Sequence, residues 1–459
     1  MSGEFVFQET SEGTLPTAAP PPDSKKAVIP AVIDLLSMTL IMVFEGILLG
    51  RYSSAALAGG GMGLMFLFFL FTIFLTFVMG AAVPISRHLG ANEKRLADRL
   101  FSNSIGATLL ASIAFAIIAL FSAKFVFGTV FGADGAVREN AVDYFRILIY
   151  FMPIIALNFT GTGILRATGD AFAAMTANLI ANCIHAGLAI ILIFGSDRLG
   201  IPAMGAAGAA LALGIAQVIG LTVQMRFVLS GKTQISLNLR DILAPKWQSI
   251  KRILKTGLPV TTEQLVWMTG QLVLLAYIAR LGESYLAAHQ ILLRLTQTVG
   301  VVYQGLAFGN MALCGQHIGA GCEDRAIKIS RRIRYLSLGF SIAIGSIIYF
   351  NAGAIVRLFT FDPAVMEITL LLMPILALQQ IPKSQTMITA SELRARGDLV
   401  FIAAIAAVFV GINEITLSGI AVFALKWGLA AIWAFMVIDE VERVIVHLLR
   451  MRRRIVKHV

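Results

Sequence analysis

Six ionisable residues lie inside long apolar runs of this chain, where a charge is hardest to accommodate. They are Asp34, Glu45, His185, Glu263, Lys383 and Glu414. A lone charge near the centre of a bilayer is costly, so each group needs a partner, water or a neutral protonated form. Carboxyls in such positions bind and release H⁺ or Na⁺, and the pattern therefore predicts cation binding within a membrane.

Asp34 and Glu45 belong to the first apolar run and are 11 residues apart. In a helix they project within about 20° of each other and are separated by roughly 16 Å along the axis. One helix face then carries carboxyls at two depths, as expected of the wet side of a helix. The alternative for Glu45 is a structural acid satisfied by hydrogen bonds.

Glu263 repeats the setting of Asp34, because each acid follows a proline by four residues (Pro30 and Pro259). Proline in a membrane helix frees a backbone carbonyl near the acid, and this carbonyl would help to coordinate Na⁺ or hydrate a proton. The sequence therefore predicts that Na⁺, if it is bound, lies at Glu263 and Asp34.

Lys383 directly follows Pro382 and has no counterpart in the first half of the chain, where Ile154 occupies the matching position. We expect its ammonium group to pair with Glu263 or Glu414. The alternative is a lysine that extends towards the membrane surface.

His185 is the remaining candidate, because an imidazole titrates near neutral pH. If it faces a cavity, it would take part in proton binding. The alternative is a buried histidine whose nitrogens are satisfied by hydrogen bonds.

The chain contains its first half twice, about 229 positions apart. The run His88–Ala91 recurs as His317–Ala320, and Leu165–Asp170 recurs as Leu393–Asp398. Asp170 and Asp398 are predicted to cap the helices that follow them. Internal duplication in a strongly apolar chain is typical of secondary transporters, which move two related bundles around a central site.

Composition places the chain in a membrane. Of its 459 residues 58% are hydrophobic and 14% are charged, with a mean hydropathy of +0.82. Apolar runs long enough to cross a bilayer predict an all-α polytopic membrane protein of twelve helices in two duplicated six-helix lobes. The spans are predicted near 27–49, 57–82, 100–122, 140–163, 171–195, 203–228, 251–279, 285–313, 334–352, 364–390, 399–423 and 428–448. The predicted segments are a disordered tail (1–26), an N-lobe (27–228), a linker (229–250), a C-lobe (251–450) and a basic tail (451–459).

The positive charges indicate the orientation. About 26 of the 37 lysines and arginines fall on the side shared by both termini, and seven fall on the other side. This bias predicts a protein of the cell membrane with both termini in the cytoplasm, and contact with anionic lipids. Nucleic-acid binding is not expected, because the basic residues are scattered over many short loops.

Motifs for enzymatic chemistry are missing from the sequence. There is no HExxH, phosphate loop or nucleophile elbow, and Cys183, Cys314 and Cys322 form no metal or disulfide pattern. A membrane-embedded enzyme would need clustered metal ligands or a nucleophile, so we expect neither enzymatic activity nor a cofactor. Any transport is not driven by ATP hydrolysis in this chain.

Several motifs resemble the multidrug and toxic compound extrusion (MATE) family. They are Gly50–Ala58, Gly80–Ala91, Leu165–Asp170, Leu281–Gln290 and Gly315–Ala320. The resemblance implies two lobes that form a V around a central cavity. It also implies export of amphipathic cationic compounds in exchange for H⁺ or Na⁺. We expect the protein to be a monomer.

Glu45 stands where many members of this family carry a cation-coupling aspartate. Three positions depart from the family pattern: His185 and Met42 stand where asparagine is common, and Ala189 where the proton-coupled branch often has aspartate. The first-lobe proton site implied by the resemblance is therefore incomplete. The alternative function is a lipid-linked precursor flippase of the same superfamily, but such proteins have a strongly cationic cavity, whereas the intramembrane charge here is mainly acidic.

Overall fold

In the computed structural model, the described residues are 24–125, 127 and 135–457. Six long helices form the first half of this part of the chain: α1 (Ser24–Tyr52), α2 (Ser54–Gly90), α3 (Lys94–Phe125), α4 (Gly135–Ala167), α5 (Ala171–Phe194) and α6 (Gly205–Leu229). Six more form the second half: α7 (Trp247–Ala279), α8 (Glu283–Gly319), α9 (Glu323–Phe350), α10 (Pro363–Ala395), α11 (Leu399–Phe423) and α12 (Gly428–Lys457). The predicted all-α fold with twelve helices is confirmed.

Ten of these helices are long and apolar enough to cross a membrane, and α7 and α12 complete the twelve. Among the described residues, a 3-10 turn (Asp197–Leu199) and two short helices (Leu239–Leu243 and Ala352–Arg357) lie between the long helices. Residues 1–23 of the predicted tail (1–26) lie outside the described residues, and α1 begins at Ser24. At the other end of the chain, α12 extends to Lys457, into the predicted basic tail (451–459).

The turns that follow α4 and α10 have the same design in both lobes. Gly169 and Gly397 adopt φ values of 95° and 78°, which favour glycine, and so end each helix sharply.

The prediction that Asp170 and Asp398 cap the following helices is wrong, because neither side chain makes a capping hydrogen bond. Asp170 accepts a hydrogen bond from the Gln234 backbone N–H at 2.8 Å. Asp398 lies 3.3 Å from the guanidinium of Arg450. Asp170 thus ties its turn to the linker after the N-lobe, and Asp398 ties its turn to α12, and neither side chain caps a helix.

Asp170 allows a prediction about stability. Burial raises the pKa of its carboxyl to about 6, although the hydrogen bonds of Gln234 and the charge of Lys94 act in the opposite direction. Above pH 6 the Asp170 carboxyl is ionised in the folded protein, where ionisation costs more free energy than in the unfolded chain. The ionised carboxylate therefore destabilises the fold. Asp170→Asn keeps an acceptor for Gln234 without the charge. It should raise the free energy of unfolding above pH 6 by up to about 3 kcal/mol.

This gain should fade as the pH falls from 6 towards the ordinary value of 3.8, because Asp170 is then protonated in the folded state. Thermal unfolding in detergent across this range tests the prediction. Asp398→Asn is the matched control, because it removes a charge that faces Arg450 and should lower stability at neutral pH. A pH-independent effect of Asp170→Asn would contradict the account.

Each lobe has its own apolar core, and the two lobes meet through α1 and α2 on one side and α7 and α8 on the other. Two repeat-related glycines lie where the backbones of the two lobes come very close to each other. A Cβ at Gly90 would lie 1.9 Å from the Gln316 carbonyl oxygen, and a Cβ at Gly319 would lie 2.0 Å from that of Arg87. Only glycine fits there, which explains why the histidine–glycine motif occurs in both halves.

The lobes separate at the other end of the helices. The first half of α1 contacts α8, where Val28 packs on Gly309 and Val32 on Gly305. Nearer the other end, a Cβ at Gly46 of α1 or at Gly300 of α8 would meet no atom within 4 Å. The helices therefore form a V that is closed at the end bearing Gly90 and Gly319 and open at the other.

Candidate functional site

Glu45 is buried in the N-lobe, where α4 and α5 supply its polar contacts. It is 6% exposed. The Tyr144 hydroxyl donates to Glu45 Oε1 at 2.9 Å, and His185 Nε2 lies 3.1 Å from Glu45 Oε2. Gly63 of α2 leaves room for the tyrosine ring, because a Cβ there would lie 2.5 Å from it. The local sequence thus builds a carboxyl site from three helices and a glycine on a fourth.

A cavity of about 90 Å³ adjoins this carboxyl. Its polar lining consists of Glu45, Asn158, Thr162, Asn178, Asn182, His185 and Gln217, and its aromatic lining of Phe68, Phe71 and Phe159. The rings of Phe71 and Phe159 stack with centroids 4.7 Å apart. The lining of the cavity therefore combines a carboxyl and amides with aromatic faces.

His185 is 3% exposed, and neither of its ring nitrogens makes a hydrogen bond of good geometry among the described residues. Its approach to Glu45 is short in distance but not aligned as a hydrogen bond. The interpretation as a satisfied buried histidine therefore does not hold. The imidazole and the carboxyl therefore face each other inside the N-lobe without a well-aligned hydrogen bond.

Asp34 lies on the same helix, nearer the closed end of the V, and is fully buried. Arg166 Nη1 lies 2.7 Å from Asp34 Oδ2, and Asn178 Nδ2 donates to Oδ1 at 2.8 Å. Arg166 is only 3% exposed, although it ends an apolar run beside a polar turn. The expected Na⁺ at Asp34 is not supported, because a guanidinium already neutralises the carboxylate.

Glu263 has the repeat-related partner. Arg394 Nη2 lies 2.8 Å from both carboxylate oxygens of Glu263, just as Arg166 contacts Asp34 in the N-lobe. Each lobe thus joins its first helix to the end of its fourth helix by an acid–arginine pair. The expected Na⁺ at Glu263 is not supported either, for the same reason. The sequence interpretation missed both arginines, although the repeat carries the acid and the arginine together.

Lys383 does not contact Glu263 or Glu414, so the predicted pairing is wrong. Its Nζ lies 2.9 Å from Glu440 Oε1 on α12, because α10 packs against α12 at this level. The next turn of α12 contributes a further ion pair, Arg443–Asp439, at 2.8 Å. The C-lobe therefore contains a buried network of charges that joins α10 to α12.

Glu414 lies on a π-helical segment of α11, Val410–Leu417, and is 3% exposed. Gln271 Nε2 donates to its Oε2 at 3.4 Å. It stays apart from Glu45, in the other lobe. Within the described ranges there is also no group of three or more His, Cys, Asp or Glu side chains that could hold a metal ion.

The profile of the MatE family matches residues 30–191 and 259–418, one stretch in each lobe. The chain belongs to the MATE family. It is similar to a probable multidrug resistance protein NorM of Thermotoga maritima, with 24% identity over 91% of this chain and 89% of the relative. It is also similar to the uncharacterised transporter YisQ of Bacillus subtilis, with 27% identity over 90% of each chain.

The fold agrees with that of solved MATE structures. One is described as the outward-facing conformation of a multidrug resistance MATE family transporter of the MOP superfamily. It superimposes with a TM-score of 0.86 at 24% identity, covering 95% of this chain and 97% of that one. This MATE protein is therefore a multi-pass membrane transporter with the V-shaped architecture of the family.

Proposed function

We propose that this MATE protein exports amphipathic organic cations in exchange for protons, and that Glu45 is the carboxyl for which both compete. The observation that carries the proposal is the position of Glu45. It lies buried beside His185, at a cavity whose lining includes three phenylalanine rings.

The cavity lining supports an amphipathic cation as substrate. A carboxylate attracts positive charge, and the faces of Phe68, Phe71 and Phe159 add cation–π and apolar contacts. A volume of about 90 Å³ is well below the roughly 300–1,000 Å³ of pockets that enclose a drug-sized molecule. The charged group of a substrate would therefore enter here, while its apolar body stays at the mouth, where Met42 and Phe68 are exposed.

The contacts of Glu45 favour H⁺ over Na⁺ as the coupling ion. Hard cations prefer several oxygen ligands, but the carboxylate faces a phenol O–H and an imidazole. One nearby amide oxygen is already engaged, since Gln217 Oε1 accepts a hydrogen bond from Asn158 at 2.6 Å. A proton needs only the carboxylate oxygen and its histidine neighbour.

Competition for one carboxyl would couple the two fluxes. A state that binds the substrate cation releases the proton, and a state that binds the proton releases the substrate, so each passage carries one of them. The Asp34–Arg166 and Glu263–Arg394 pairs would hold the first and fourth helices of each lobe together while the lobes move. They position the site and do not bind the transported ion.

The flippase alternative is disfavoured by the charge of the site. Among the described lining residues of the N-lobe cavity there is no lysine or arginine, whereas a pyrophosphate group needs cationic partners. Glu45 would instead repel such a group.

The proposed direction of export requires both termini to lie in the cytoplasm, with the open end of the V facing outwards. Cysteine labelling tests this arrangement in a background without Cys183, which is exposed, and without Cys322 and Cys314. Arg198→Cys and Lys426→Cys should react with a membrane-impermeant maleimide added to intact cells, and Lys246→Cys should react only after lysis. The reverse pattern would contradict the orientation.

The function is tested by efflux of a fluorescent cationic dye from proteoliposomes under one imposed gradient at a time. An acidic exterior without Na⁺ should drive efflux, and a Na⁺ gradient at equal pH should not. Efflux driven only by Na⁺ would overturn the assignment to protons. If neither gradient drives any cationic dye, the exchange itself is refuted.

A further inference from the structure

The C-lobe contains a second buried carboxyl that lacks a charge partner. Glu414 is 3% exposed, and among the described residues no lysine, arginine or histidine nitrogen lies within 4.0 Å of its oxygens. Gly270 of α7 makes room for it, since a Cβ at Gly270 would lie 2.8 Å from Glu414 Oε2. The structure therefore accommodates the carboxyl group but provides no charge to neutralise it.

The surrounding cations are each committed to another acid. The charged groups near Glu414 are Lys383 on α10 and Asp439, Glu440 and Arg443 on α12. Lys383 pairs with Glu440 and Arg443 pairs with Asp439, while the α7 side presents Gly270 and Gln271. The charges within each neighbouring ion pair already cancel. An ionised Glu414 would therefore be an uncompensated buried charge, which is costly within a membrane.

Gln271 also has an unmet hydrogen bond. Its amide nitrogen donates weakly to Glu414 at 3.4 Å, while its Oε1 is buried without a donor. The two ends of an amide can exchange places by rotation of the side chain. A proton on Glu414 could then be donated to Gln271 Oε1, so one proton satisfies both the carboxyl and the amide oxygen.

The location corresponds to that of Glu45 in the other lobe. The Glu45–His185 contact joins the first and fifth helices of the N-lobe, and the Glu414–Gln271 contact joins the first and fifth helices of the C-lobe. In the N-lobe the acid lies on the first helix and its partner lies on the fifth, whereas in the C-lobe the acid lies on the fifth helix and its partner lies on the first. Counted from Leu165 and Leu393, Asn413 is the repeat counterpart of His185. The next residue, Glu414, faces α7 from a π-helical segment, a feature common at functional sites.

A second cavity opens on the same seam between α7 and α11. It measures about 270 Å³ and is lined by Ala276, Tyr277, Arg280 and Phe423. It lies towards the open end of the V, beyond the contact of Gly419 with Tyr277. The Arg280 guanidinium covers the Phe423 ring at 5.8 Å.

We propose that Glu414 and Gln271 form a second proton-binding site, in the C-lobe. The site binds one H⁺ on the Glu414 carboxyl and is hydrogen-bonded across the α7–α11 seam. This inference goes beyond the exchange proposed at Glu45 and does not depend on which compound is carried.

Infrared difference spectroscopy of the purified protein between acidic and alkaline pH tests the site without any transport assay. A protonated carboxyl has a C=O stretching band that is lost on ionisation. Glu414→Gln should remove one such titrating band, and Glu367→Gln, at an exposed carboxyl of the same lobe, should leave the buried-carboxyl bands unchanged. An unchanged spectrum for Glu414→Gln would overturn the proposal.

Gln271→Leu provides a second test that leaves the carboxyl in place. The Glu414 band should remain but move to higher frequency, because the carbonyl loses its hydrogen-bonding amide. A band that stays at the wild-type frequency would exclude Gln271 as the partner. Loss of the band on addition of Na⁺ at constant pH would overturn the assignment to a proton and make the pair a sodium site. Glu45→Gln should leave the Glu414 band intact, so this test is independent of the N-lobe function.

Discussion

Glu45→Gln should abolish gradient-driven efflux and reduce it to the rate of liposomes without protein. Glutamine keeps the size of the side chain and can still accept the hydrogen bond of Tyr144, so the fold should survive. It cannot take up a proton or carry a negative charge. The exchange therefore loses the group for which substrate and proton compete, and dye efflux under an acidic exterior measures the loss.

The matched control is Glu139→Gln, which changes an exposed carboxyl of the same lobe and should transport at the wild-type rate. Expression and the size-exclusion profile of both variants establish that they are folded. Glu45→Gln protein that still exports dye at the normal rate would make this residue a structural acid.

The second large effect is expected on stability, from Arg166→Met. This change leaves Asp34 fully buried with only the Asn178 amide as a close partner. Removing one member of a buried ion pair typically costs about 3–5 kcal/mol, because the remaining charge is uncompensated. The unfolding temperature in detergent should fall accordingly. Asp34→Asn/Arg166→Met should recover most of the loss, because no charge remains.

Arg394→Met is the internal comparison, since Glu263 and Arg394 are each 19% exposed at the side chain and water can partly replace the partner. Its cost should be smaller than that of Arg166→Met. Equal costs in the two lobes, or no recovery in the double variant, would contradict the interpretation of Asp34–Arg166 as a dry ion pair.

The sequence alone was sufficient for the architecture. The duplication, the apolar runs and the family motifs predict twelve helices in two lobes, and the described residues form them. Helix spacing also placed Asp34 and Glu45 on one face of α1, and both acids point into the N-lobe. These features depend on periodicity and length, which a sequence records directly.

The pairing of charges could not be predicted, because it depends on which helices pack together. Arg166 and Arg394 end apolar runs beside polar turns, so hydropathy assigned them to the cytoplasmic surface. Their side chains instead turn back into the lobe towards Asp34 and Glu263. The repeat was an available signal, since it preserves both members of each pair. Lys383 offered no such signal, and its partner Glu440 follows from the packing of α10 on α12.

The environment of Glu414 was hidden for a different reason. A π-helical segment adds a residue to the turn and changes which side chains face inwards. A regular helical count through Val410–Leu417 therefore gives the wrong face for the residues that follow. The lack of a hydrogen-bond donor for Gln271 Oε1 also depends on how the helices pack, which the sequence does not record.

The central claim is that a substrate cation and a proton compete for Glu45. The most direct measurement is proton release when a lipophilic cation such as tetraphenylphosphonium binds to the purified protein in weakly buffered solution. We predict release of up to about one proton per bound cation, with the same value for Glu414→Gln and none for Glu45→Gln. Binding of the cation without proton release, or release that persists in Glu45→Gln, would contradict the account.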